Sequence, residues 1–197
     1  SSRMGRIFSD RIACRMVQRG VLVTELKLRE NVSLQPYEAE LLPLIAAKAV
    51  PVADLRGAVS GGLEAAGAAH GNKGSGEGAA WNFAVKGEGK VVEANLTSRA
   101  RKAMLDTDGD GTADLTLQLG PVIKGSSLRD VAPFYRFGDF RDQIEFAKLG
   151  RAINDRVSPM VTLPEGDLVG QVLGFTGAVT LKAASDPWLV TVIEVTR

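Results

Sequence analysis

Cysteine is almost missing from this chain: Cys14 stands alone among 197 residues. No intrachain disulfide can form, and a metal centre built on cysteine ligands is excluded with it. Histidine is equally scarce. His70 lies at the edge of a glycine-rich stretch, a poor platform for the general base of a Ser-His-Asp relay. No G-x-S-x-G elbow occurs, and "GNKGSGEG" lacks the Gly-Lys-Ser/Thr ending of a phosphate loop. No apolar run approaches the roughly 18 residues that a membrane-crossing helix requires. The opening "SSRMGRIFSDRIAC" also lacks the apolar centre of a secretory signal, so the chain is either cytosolic or has lost its signal. Net charge is only +1, which gives no electrostatic reason to expect a nucleic-acid or membrane partner.

What is present is the composition of a soluble globular protein, with 45% hydrophobic and 24% charged residues. The charge is uneven. Residues 1–30 hold Arg3, Arg6, Arg11, Arg15, Arg19, Lys27 and Arg29 against Asp10, Glu25 and Glu30, the pattern of a solvated basic arm. From residue 36 the spacing becomes helical. In "PYEAELLPLIAAKAV" the residues Leu41, Leu42, Leu44, Ile45 and Val50 recur at helical intervals, with Pro43 expected to bend or interrupt the run. "VADLRGAVSGGLEAAGAA" is a second helical stretch weakened by Gly57, Gly61 and Gly62, and "HGNKGSGEGAA" reads as a loop.

The period then changes to two. "WNFAVKGEGKVVEANL" and "TSRARKAMLDTD" are expected strands, and in "ADLTLQLGPVI" Leu115, Leu117 and Leu119 face one way while Thr116 and Gln118 face the other. A helix is expected over 139–156, capped by Asp139, with Phe140, Ile144, Ala147 and Leu149 as its apolar stripe. Two strands, "LVGQVLGFTGAVTL" and "WLVTVIEVT", close the chain. Three strands, a helix and two strands form the element order of an α+β chain built on an OB-like barrel, with glycines in the first and fourth strands where a small barrel coils. The expected organisation is an N-terminal arm (1–35), a helical segment packed on the barrel (36–70) and the OB-like β domain (80–197); another α+β sheet is the competing architecture.

Four stretches, "WNFAVKGEGKV", "GDGTADLTLQLGPVIKGSSLRD", "FGDFRDQIEFAKLGRAIND" and "GQVLGFTGAVTL…WLVTVIEV", resemble the bacterial predicted periplasmic lipoproteins classed as domain of unknown function 2291. The resemblance covers roughly residues 36 to 197. It implies a lipid-anchored protein facing the periplasm, associated with sugar-type ABC transporters, with no assigned reaction. The N-terminus departs from the family pattern. "ACRMV" around Cys14 is similar to a lipidation junction, but Arg11 stands where an aliphatic residue is wanted. Cys14 is therefore either the lipidated residue or an ordinary thiol.

Two stretches carry candidate chemistry. In "DTDGDGTADLTL", Asp106, Asp108, Asp110, Thr112 and Asp114 fall at calcium-loop positions 1, 3, 5, 7 and 9, with Gly111 at the sharp turn. Position 12 is Leu117 instead of a bidentate glutamate, so any calcium would be held weakly, and an Asp-Gly hairpin turn explains the same residues without metal. In "GPVIKGSSLRD", Lys124, Ser126, Ser127 and Arg129 could bind a carboxylate or a sugar hydroxyl, joined by Tyr135 from the aromatic run "PFYRFGDF". The structural alternatives are an Arg129 ion pair with Asp130, Asp139 or Asp142, and core packing for the aromatics.

These residues point to a non-enzymatic protein with no required cofactor, calcium being optional. Its expected partner is a small solute or a periplasmic or membrane protein, with membrane contact only through an N-terminal lipid anchor. The rival readings are a structural lipoprotein acting through its surface and an unrecognised hydrolase.

Overall fold

The longest alternating run becomes the longest strand. In the computed structural model, which describes residues 35–74 and 78–197, β3 (Trp81–Asn95) serves two partners in turn. The expected basic arm and Cys14 lie outside the described residues. The first part of β3 pairs antiparallel with β6 (Val172–Leu181), from Trp81 opposite Leu181 to Lys90 opposite Val172. Its last part pairs with β4 (Ala100–Asp106). Gly89 sits near this hand-over, where a Cβ would come within 2.7 Å of the Asp106 carbonyl oxygen. β4 then pairs with β5 (Leu115–Pro121), β5 runs parallel to β7 (Leu189–Thr196), and β7 returns to β6. The five strands close on themselves, the connectivity expected of an OB barrel.

The barrel interior is filled by the inward members of each alternation, among them Phe83, Val85, Leu105, Leu115, Leu117, Val179 and Val190. At about 25 cal/mol per Å² of apolar area, each such leucine or valine contributes roughly 1.5–3 kcal/mol. A second cluster lies outside the barrel. Ala84 and Ala178 face each other across the β3–β6 pair. With no bulk of their own they share a buried layer with Leu41 and Ile45 of α1 (Gln35–Lys48), Leu128 of α4 (Ser127–Asp130), and Leu149 and Ile153 of α5 (Gln143–Val157).

Several local expectations change. Pro43 does not interrupt α1; it lies on the exposed side and the helix runs through it. The second helical stretch divides at Gly62 (φ +142°) into α2 (Val52–Gly61) and α3 (Leu63–His70). The first part of the expected loop is strand, β2 (Gly71–Lys73), after His70 ends α3, and Val50, expected in the first helical run, begins a short strand, β1 (Val50–Pro51); both ladder onto β3. Residues as poor in strand propensity as Gly-Asn-Lys are held there by an existing edge.

The helix between the third and fourth barrel strands begins later than expected. Asp142, rather than Asp139, caps α5, accepting the Glu145 N–H at 2.9 Å, while Asp139 belongs to a preceding 3₁₀ turn, Phe137–Asp139. Its buried stripe is Leu149, Gly150, Ile153, Asn154 and Val157, whereas Ile144 and Ala147 face solvent.

Candidate functional site

Where α4 and α5 meet the outside of the β3–β6 pair, a cleft of about 720 Å³ opens. That volume lies within the range of small-molecule sites. Its floor is set by strand register. Asn82 and Thr180 are direct partners across the ladder, and Thr180 Oγ1 donates to Asn82 Oδ1 at 2.7 Å. Ser127 Oγ lies 2.7 Å from Thr180 Oγ1. Because the threonine proton is committed to Asn82, the serine is the donor. Asn82 Nδ2 in turn donates to the Asn72 carbonyl at 3.1 Å. The floor is thus a relay of satisfied polar groups, as the burial of Asn82 and Ser127 demands.

One wall is the turn entering α4. Arg129 organises it: Nε donates to Asp130 Oδ1 at 2.7 Å, Nη2 to Ser126 Oγ at 2.9 Å, and Nη1 to the Phe146 carbonyl at 2.8 Å. Ser126 Oγ also donates to Asp130 Oδ2 at 2.8 Å. The guanidinium stacks 3.6 Å from the centroid of the Phe146 ring. This braces α4 against α5, and the two come so close at Gly150 that a Cβ there would lie 3.1 Å from Ser126 Cβ and 3.3 Å from Arg129 Nη1. The facing wall is α5, whose residues Gln143, Ala147 and Arg151 share one helix face, joined by Phe137 and Phe146 at the mouth.

The loop leading into this wall hangs from a buried side chain. Gln118 Nε2 donates to the Lys124 carbonyl at 3.0 Å and to Thr191 Oγ1 at 3.1 Å, and Gln118 Oε1 accepts the Lys124 N–H at 2.8 Å. Asn154 Nδ2 adds a bond to the Gly125 carbonyl at 3.0 Å. The candidate binding residues are therefore distributed. Ser126 and Arg129 line the cleft. Ser127 is buried beneath it, the Lys124 side chain is exposed while its peptide group is tethered, and Tyr135 lines a smaller neighbouring hollow of about 290 Å³. Arg129 pairs with Asp130; Asp139 and Asp142 do not complete that pair.

Asn82, Thr180, Gln143, Phe146 and Arg151 were not among the candidates. Asn82 and Thr180 are 98 positions apart in the chain; the only local signal is a polar residue inside the apolar run "WNFAV".

The aspartate loop spans the β4–β5 connection. Asp106 Oδ1 accepts the N–H groups of Asp108 at 3.2 Å and Gly109 at 2.8 Å, and Oδ2 accepts that of Gly111 at 2.8 Å. Asp114 Oδ2 accepts the Thr107 N–H at 2.9 Å, and Oδ1 accepts the Thr107 hydroxyl at 2.6 Å and Arg56 Nη2 at 3.2 Å. Asp110 accepts the Thr112 N–H at 2.8 Å and donates its own N–H to Asp108 Oδ1 at 3.2 Å. Asp106, Asp108 and Asp114 each bring one oxygen within 4.8 Å of the others.

The electrostatics of the loop follow from this geometry. The Gly111 amide, with help from Asp108 and Gly109, holds the Asp106 carboxyl below its ordinary value. The Asp110 amide lowers Asp108 as well, but the neighbouring Asp106, desolvation and Asp110 outweigh it, and Asp108 is pushed up. Leu117, at the twelfth loop position, is fully buried in the barrel and offers no oxygen.

A family model described as "Predicted periplasmic lipoprotein", domain of unknown function 2291, matches residues 28–196. The chain belongs to this family. Its location is accordingly the periplasm, with a lipoprotein's attachment to the membrane; among the described residues no helix is long and apolar enough to cross a bilayer. Among curated proteins none matches. A crystal structure of an OB-fold protein from Thermotoga maritima is similar over 85% of this chain and 99% of that one, with a TM-score of 0.56 and 15% identity. At that identity the likeness concerns the fold, and it agrees with the barrel traced above.

Proposed function

We propose that this periplasmic family member is a non-enzymatic binding protein that holds a small polar solute in the cleft between α4, α5 and the β3–β6 pair, in support of a sugar-type ABC transporter. The observation that carries the reading is the cleft itself: about 720 Å³, built on braced elements, with polar groups converging beside the aromatic rings of Phe137 and Phe146. The cleft's carboxylate supports binding over hydrolysis, because Asp130 is tied on both oxygens by Arg129 and Ser126 instead of standing free as an acid–base group. A second reading, action through a partner protein, draws on Phe134, Phe137 and Ile144, which are 39%, 39% and 65% exposed along one short stretch. The proposal also includes a weak, accessory calcium site at Asp106, Asp108 and Asp114, the three carboxylates that approach one another.

The test is thermal unfolding across a panel of sugars, polyols, organic acids and amino acids, since a ligand of the folded state raises the midpoint by mass action. Ala147→Trp places a large ring in the cleft from an exposed helix position. A solute shift lost in that variant supports the cleft. A shift of equal size in the variant sends the site elsewhere, and flat curves throughout favour the partner protein.

A further inference from the structure

Among the described residues the charges of the cleft do not balance. Arg129, Asp130 and Arg151 are its charged lining groups. Arg129 and Asp130 neutralise each other at 2.7 Å, and the other oxygen of Asp130 is taken by Ser126. Arg151 has neither an ion pair nor a hydrogen bond among the described residues. It projects from the face of α5 that carries Ala147 and Gln143, one and two helical turns earlier. Among the described residues, one positive charge is thus left facing the cavity.

The remaining hydrogen-bonding capacity points the same way. On the floor, Asn82 spends its amide on the Asn72 carbonyl and its oxygen on Thr180, whose hydroxyl proton is already committed. Ser126 Oγ receives from Arg129 and gives to Asp130. Among the lining side chains that can hydrogen-bond, the Gln143 amide and the guanidinium fork of Arg151 make no such bond among the described residues, so the wall opposite the brace is predominantly a donor surface. A planar fork of N–H donors carrying a full charge matches a carboxylate in two parallel bonds, and matches a hydroxyl less well.

Building on the reading of this cleft as a solute site, we infer that its ligand is an acid: a small hydroxylated carboxylate of the hydroxy-acid or sugar-acid class. The carboxylate is held by Arg151, a hydroxyl reaches Gln143, and the carbon skeleton lies toward Phe137. Arg129 does not bind the acid. Its role is to hold the wall.

Matched pairs that differ only by carboxylate against hydroxymethyl test this on the full chain: gluconate and sorbitol, glucuronate and glucose, lactate and propane-1,2-diol, each by isothermal titration and by thermal shift. An acid should bind at least about ten-fold more tightly than its neutral partner. Arg151→Gln should weaken that acid about ten-fold or more while leaving the midpoint of the unliganded protein unchanged, because the side chain is exposed. Lys148→Gln, on the same helix and outside the cleft lining, should change neither.

If neutral members bind as tightly as acids, or if Arg151→Gln keeps full affinity, the acid assignment is overturned. The cleft reading survives that result provided Ala147→Trp still removes binding. If no member of any pair binds, both the acid assignment and the solute reading fall together.

Discussion

Gln118 supports the barrel and the cleft at once, and its removal has a calculable effect. It is 7% exposed and makes three hydrogen bonds, two with the Lys124 peptide and one with the fully buried Thr191. Each is worth about 0.5–1.5 kcal/mol net, so Gln118→Ala should cost about 3 kcal/mol. For a chain of this length, 1 kcal/mol moves the midpoint by about 2–4 °C, and the expected fall is about 6–12 °C by circular dichroism.

The effect should also be local. The Lys124 amide should lose its hydrogen-exchange protection, while amides of β5 on the barrel ladder keep theirs. Gln118→Glu separates the two halves of the contact: it retains the acceptor for the Lys124 N–H but cannot donate to the Lys124 carbonyl when ionised. A buried glutamate facing a carbonyl has its value raised above the ordinary 4.3 or so. Its protonated form is the stabilising one, so that variant's stability is highest below about pH 4 and is lost as pH rises through the raised value. A midpoint change of under about 2 °C in Gln118→Ala, or unchanged exchange at Lys124, would refute the claim that this side chain hangs the loop.

Further outcomes follow from other contacts. Arg129→Lys keeps the charge but cannot reproduce three directed bonds and a stacking contact; it should lower stability by about 2 kcal/mol and abolish whatever solute shift the cleft shows, and wild-type melting would contradict the bracing role. In the aspartate loop the two perturbed carboxyls predict opposite signs. Asp106, held below the ordinary 3.8, contributes stability above that value that is lost as pH falls through its lower folded value, so Asp106→Asn should melt earlier at neutral pH and show a flatter acid limb. Asp108, raised above 3.8, favours the fold when protonated and loses that contribution as pH rises, so Asp108→Asn should melt later at neutral pH in chelator. Millimolar calcium should reverse the ranking by stabilising the wild type and sparing the variant; a flat calcium titration would leave the loop a turn and nothing more.

Local patterns were enough for the skeleton. Alternation located the barrel strands, the switch to helical spacing located α5, and the element order pointed to the OB barrel, because side-chain period reflects which face meets the core. The family too was legible, in the stretches that build β3, β5, α5 and the last two strands. Where only a neighbour decides, the residues were silent. Gly71–Lys73 became strand because β3 offered an unpaired edge. Asp142, rather than Asp139, capped α5 because a 3₁₀ turn takes up Phe137–Asp139 and the extended backbone at Asp142 turns its carboxylate onto the Glu145 N–H.

The candidate site shows the same division. Lys124, Ser126, Ser127, Arg129 and Tyr135 share a short stretch, yet only Ser126 and Arg129 line the cleft. Its other groups come from the stretch before β3, from β3, β6 and α5, and from the 3₁₀ turn at Phe137. Composition and period determined that this chain would close a barrel and pack helices on it, since burial of apolar faces is a local arithmetic of spacing. Which polar groups converge was left to register and helix docking: Asn82 meets Thr180 across 98 positions, and Arg129 and Arg151 line one cleft where Gly150 lets α4 and α5 come close.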